Sequence, residues 1–117
     1  KILYCGDIVG RAGRNVIVKH LAEIKQKYHI DIVIANGENA AHGFDPGIAA
    51  DLLNAGTDGL TTGNHIWQQR EIYPYLDQNK KIVRPLNYPE NLPGRGWQII
   101  ETAGKKVLFA QVLGRLF

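Results

Sequence analysis

The stretch IDIVIANGEN, Ile30 to Asn39, decides how the rest of the chain is read. Its first six residues, Ile30 to Ala35, are mostly β-branched and nearly continuous in apolar character. That is the mark of a strand buried on both faces, as in a parallel sheet flanked by other layers. The run then stops at Asn36-Gly37 and is followed by Glu38 and Asn39. Two neighbouring segments have the same form. Ile2 to Cys5 is a short β-type run ending at Gly6-Asp7, and DGLTT, Asp58 to Thr62, ends at Gly63-Asn64-His65.

Helical patterns lie between these runs. From Arg14 to Tyr28 the apolar residues Ile17, Leu21, Ile24 and Tyr28 recur at spacings of four, three and four, which is one face of a helix. Asp45 followed by Pro46 predicts an N-cap and first helical residue, with Ile48, Leu52 and Ala55 as the apolar face and Gly56 as the stop. A third helix is expected from about Gln69 to Asp77, with Pro74 confined to its first turn. KIVRP, Lys81 to Pro85, reads as a brief fourth strand, and a loop carrying Pro85, Pro89 and Pro93 follows. WQIIETAGKKVLFAQV, Trp97 to Val112, reads as a hairpin turning near Ala103-Gly104. Strands alternating with helices of this length imply an α/β protein of βαβ units, with right-handed crossovers and a largely parallel sheet.

Composition narrows the function classes. The 117 residues are 44% apolar and 21% charged, ordinary values for a globular protein. The formal net charge of +3 is spread over short pairs, Lys80-Lys81 and Lys105-Lys106, which read as solvated surface. No stable nucleic-acid complex is expected, since that would need a clustered basic stripe. No apolar run approaches the roughly 18 residues of a membrane span, and no signal-peptide pattern is present. Cys5 is the one cysteine and sits in an apolar run, so it reads as a small buried hydrophobe in a cytoplasmic protein. The chain contains no methionine and stops in the apolar run KKVLFAQVLGRLF. The expectation is one domain over residues 1–117, forming the N-terminal half of a longer one.

In open α/β sheets ligands bind outside the carboxyl ends of the strands. If the first three strands are adjacent, Asp7, Glu38, Asn39, Asn64 and His65 crowd into one small volume. Two carboxylates held close together repel, so one must protonate or a cation must lie between them. Carboxylate, amide carbonyl and imidazole are all competent ligands of divalent metals. Each residue has a plainer reading alone: Asp7 as an Asx-turn or helix cap, Glu38 as a surface or ribose-binding acid, Asn64 as a turn residue, His65 as a helix-start or loop residue. Their coincidence at successive strand ends favours a metal site, with a dinuclear, carboxylate-bridged centre as one form of it. His20 and His29 read as structural or solvated. His42, four residues after Glu38, can reach the site; Arg11 and Arg14 read either as a charged helix start or as groups that meet an anionic substrate.

GDIVGRAGR, ANGENAAHG, TTGNHIW, VRPLNYP and the closing LGRLF together resemble the calcineurin-like metallophosphoesterases, specifically their YmdB-type branch. The resemblance runs nearly end to end, and NGENAAHG combined with GNHIW and RPLNYP at these spacings is specific to it. It implies part of a metallophosphoesterase sandwich and a phosphodiesterase acting on cyclic-nucleotide-type phosphodiesters through a two-metal-activated hydroxide. Iron or manganese would be the metals. Asp7 would bind one of them, Glu38 would bridge the pair, and Asn39 and Asn64 would add oxygen ligands. His65 would protonate the departing alkoxide, and the protein would form a homo-oligomer. There is one departure: the family completes its centre with histidines from its second half, including a Gly-His-x-His turn, and these 117 residues contain none. The chain alone is expected to hold about half the ligand set, to bind metal poorly and to be inactive. Two rivals stand beside this reading. One is a dinucleotide-binding oxidoreductase domain, favoured by glycines after the first strand and an acid after the second, but lacking the G-x-G-x-x-G spacing. The other is a non-enzymatic truncated scaffold.

Overall fold

A computed structural model describes residues 1–115 of the chain. Leu116 and Phe117, the last two residues of the LGRLF motif, lie outside the described residues. Six strands and three α-helices follow in the order β1 (Ile2–Cys5), α1 (Gly10–Tyr28), β2 (Ile32–Asn36), α2 (Pro46–Asn54), β3 (Gly59–Thr61), α3 (Ile72–Gln78), β4 (Ile82–Val83), β5 (Trp97–Thr102) and β6 (Lys105–Ala110), with a 3₁₀ helix at Asn64–Gln68 between β3 and α3.

The first four strands form one parallel sheet in the order β1-β2-β3-β4. Each crossover therefore steps the same way across the sheet. Right-handed crossovers that all step one way place their helices on one face, and residues of α2 and α3 share a core with Ala35, Leu60 and Ile82. The opposite face is left for the antiparallel hairpin β5-β6, whose Phe109 packs with Ile32, Ile34 and Val83. Alternation along β2 thus sends Ile32 and Ile34 to the hairpin and Ala35 to the helices. This is why the run had to be apolar throughout. Phe109 is seated on Gly59: a Cβ there would lie 2.6 Å from the ring. β1 is covered on one face only. Ile2 and Tyr4 share the hairpin side with Ile32 and Ile34, yet are 58% and 60% exposed because the hairpin does not reach them.

The local signals operate as the residue types require. Asp45 caps α2, accepting the Ile48 N–H at 2.9 Å with Pro46 as the first helical residue, an arrangement worth about 1 kcal/mol. Ile48 and Leu52 are buried, but α2 ends at Asn54, so Ala55 is its C-cap. Pro74 falls in the first turn of α3, where its missing N–H costs nothing. The hairpin turns at Ala103 and Gly104 with φ of 49° and 72°, the positive pair that a two-residue turn needs. α1 begins at Gly10 rather than near Arg14; its glycine-rich first turn carries no apolar periodicity. The segment from Asn64 to Gln68, between the third strand and the helix expected from Gln69, is a 3₁₀ helix.

Candidate active site at the strand ends

Parallel pairing brings the ends of β1, β2 and β3 to one edge of the sheet. The three exits are tied together by backbone bonds: Ile8 N–H to Asn36 O at 3.1 Å, Gly10 N–H to Asn39 O at 2.9 Å and Gly37 N–H to Thr61 O at 2.9 Å. Gly37 is required by Phe44, whose ring would lie 2.5 Å from a Cβ at that position. The Asn36 side chain then turns the chain upward. Its oxygen accepts the Glu38 N–H at 3.2 Å while its nitrogen donates to Thr61 Oγ1 at 3.0 Å.

Two linked pairs result. Asp7, in the left-handed region at φ 38°, accepts from Asn39 Nδ2 at 2.6 Å. Glu38 accepts the backbone N–H of Asn64 at 3.1 Å. His65 Nδ1 lies 3.9 Å from Glu38 Oε1, beyond hydrogen-bond distance and an ion pair only when the imidazole is protonated. Gly63, at φ 58° and ψ −160°, occupies a region essentially reserved for glycine. The space its side chain would fill is taken by the Glu38 carboxyl, whose carbon would lie 1.9 Å from a Cβ. His65 is fixed from below. Ile66 is fully buried, and the Trp67 ring packs edge-on against Tyr73 and Tyr88 at 5.7 and 5.6 Å.

The edge also holds the cavity that His42 and Arg11 share. It measures about 580 Å³ and is lined by Arg11, Arg14, Asn39 and His42 with Val9 and Ala41. Arg14 donates to the Ala40 carbonyl, tying α1 to the loop that carries Glu38, Asn39 and His42. Arg14 is thus an anchor, through a tertiary contact that no local pattern marks. Gln111, not singled out in the sequence at all, accepts from Thr62 N at 3.0 Å and Gly63 N at 2.9 Å. It lies 48 residues from Gly63, and no local signal marks it.

The donor set suits one side of a hard-cation centre: the carboxylates of Asp7 and Glu38 and the amide groups of Asn39 and Asn64, without a thiolate. Among the described residues no three Asp, Glu, His or Cys side chains converge as a metal cluster. The oxygen atoms here fit part of a coordination shell, not a closed one.

The model of the YmdB-like protein family matches residues 3–117. The chain belongs to the YmdB-like family. Among its relatives, a 2′,3′-cyclic-nucleotide 2′-phosphodiesterase of Bacillus subtilis (strain 168) is 39% identical over 119 residues, covering 100% of this chain and 45% of that protein. Two crystal structures are similar throughout. A hypothetical protein from Thermus thermophilus matches at TM-score 0.89 and 42% identity, over 98% of this chain and 45% of the other. A novel phosphatase of Mycoplasma pneumoniae matches at TM-score 0.87 and 37% identity, over 97% and 42%. The YmdB-like chain described here thus spans under half the length of these relatives. Its fold is the α/β architecture of that phosphatase. Strand order also weighs against a dinucleotide site. That site forms where the order of a doubly wound sheet reverses, and β1-β2-β3-β4 has no reversal among the described residues. No helix among them is long and apolar enough to cross a membrane.

Proposed function

We propose that this chain supplies one half of the active centre of a phosphodiesterase acting on cyclic-nucleotide-type phosphodiesters, as the N-terminal half of a longer domain. The observation that carries the reading is the seat of Glu38. Its carboxylate rests on Gly63, takes the Asn64 N–H and faces His65, while Asn39 beside it binds Asp7 across the gap between β1 and β2.

When bound, two divalent ions of iron or manganese supply Lewis acidity at the phosphoryl oxygens and lower the pKa of a water. Asp7, Glu38, Asn39 and Asn64 are the residues that would hold them. The neutral amides matter because a shell of carboxylates alone would cancel the positive charge that attracts a phosphate. His65 donates a proton to the leaving oxygen. An alkoxide is a strong base, and acid catalysis at such an oxygen contributes about 10²- to 10⁴-fold. Arg11 and His42, both exposed in the adjoining cavity, receive the phosphate or the sugar of the substrate. The Bacillus subtilis relative, named for 2′,3′-cyclic nucleotides, supports that substrate class.

The test is hydrolysis of a 2′,3′-cyclic nucleotide by the complete protein after chelation and after manganese is restored. Activity lost and regained with metal is the expected result. Full activity in a stripped protein overturns the reading.

A further inference from the structure

We infer that Gln111 is a positioning residue for the proton donor: its carboxamide oxygen sets the turn that holds His65 over the reacting oxygen. This rests on the role proposed above for His65.

The turn after β3 presents three successive backbone N–H groups, those of Thr62, Gly63 and Asn64. Gln111 Oε1 accepts the first two, at 3.0 and 2.9 Å, and Glu38 Oε1 accepts the third at 3.1 Å. Two side-chain oxygens from different elements therefore hold one glycine-dependent turn. Thr62 is fully buried, so its N–H has no water to fall back on, and an unmade bond there carries the full desolvation cost. Gln111 is itself fixed from a third direction, since its carbonyl accepts the Leu86 N–H at 2.7 Å and it bridges to Pro85. Thr62 adds a bond from its hydroxyl to Val83 O at 3.1 Å. Gln111, directly after the hairpin strand β6, thus joins the ends of β3 and β4 beneath the Asn64-His65 step. Withdrawing the Gln111 oxygen frees two donors at the residues that define where Asn64 and His65 begin. A shift on the order of 1 Å at a donor is enough to cost about 100-fold in rate.

The experiment uses the complete protein with manganese and two substrates. A 2′,3′-cyclic nucleotide expels an alkoxide and needs a proton donor, whereas bis(4-nitrophenyl) phosphate expels a phenolate that leaves without one. Gln111→Met is expected to lower kcat on the cyclic nucleotide about tenfold more than on the nitrophenyl ester. KM should change little and metal content should be unaltered. Gln111→Asn, which keeps the amide but withdraws it by one methylene, is expected to show the same selectivity in milder form and serves if the Met variant does not fold. Combined with His65→Ala, Gln111→Met should add little further loss. Equal losses on both substrates, or full additivity with His65→Ala, would show Gln111 to be a structural tie only and overturn the inference. If His65→Ala alone shows no dependence on the leaving group, the failure lies in the reading of His65, and the inference falls with it.

Discussion

The two edges of the parallel sheet both carry acids, and they differ in what stands beside those acids. At the amino edge, Asp58 accepts the Val33 N–H at 2.8 Å, Asp31 pairs with the amino terminus, and Lys25 donates to Gly56 O at 3.2 Å. These acids are partnered by backbone or by a cation. At the carboxyl edge, Asp7 and Glu38 receive neutral donors, an amide and a backbone N–H, and the group beside Glu38 able to become positive is His65. The first edge is finished by the chain itself. At the second, Gly63 admits the Glu38 carboxyl, and Asp7 takes its hydrogen bond from the loop after β2.

Breaking that contrast at its strongest point means changing the acids. In the complete protein, Glu38→Gln or Asp7→Asn is expected to lower turnover about 10³-fold or more, the scale of losing a charge-stabilising group, together with bound metal measured by elemental analysis. Asp58→Asn, which keeps an oxygen for Val33, should leave both unchanged. His65→Ala is expected to cost about 100-fold in kcat while metal content stays near its original value, and a stripped metal would show His65 to be a ligand.

Stability sharpens the same contrast within this chain. Gly63→Ala places a Cβ on the Glu38 carboxyl and in a glycine-only backbone region, and about 2–4 kcal/mol should be lost in urea unfolding. Gly104→Ala at the hairpin tip, where nothing lies within 4 Å, should cost only its positive φ, about 1 kcal/mol. The smallest effect belongs to Asp31. The hydrogen bond from the amino terminus, then its charge, holds the Asp31 carboxyl below its ordinary value of 3.8. A lowered folded value means stability present above pH 3.8 and lost as pH falls through the folded value. Asp31→Asn should therefore flatten slightly the acid limb of the stability–pH curve and leave neutral stability nearly unchanged.

Most of the sheet was legible because its signals are local. Within IDIVIA the doubly buried strand begins at Ile32, after half-buried Ile30 and exposed Asp31, Asp45-Pro46 starts a helix, and Ala103-Gly104 turns a hairpin. What local pattern could not give was the start of α1, where GRAG has no apolar period, or the helical turn at Asn64–Gln68, whose Ile66 is buried by tertiary packing. The candidate site divides in the same way. Asp7, Glu38, Asn39, Asn64 and His65 announced themselves by repetition of a glycine before a polar residue at three strand ends. Gln111 and Arg14 act through bonds to residues 48 and 26 positions away, a distance across which sequence spacing carries no geometry.

On the function proposed above, cations hold the oxygen atoms at these strand ends together. The most direct measurement is anomalous diffraction from crystals of the complete protein grown with manganese. Two peaks are expected within about 2.0–2.5 Å of oxygens from Asp7, Glu38, Asn39 and Asn64, with the His65 imidazole outside coordination distance. A map with no peak there, and with the Asp7 and Glu38 carboxylates hydrated and turned apart, would contradict it.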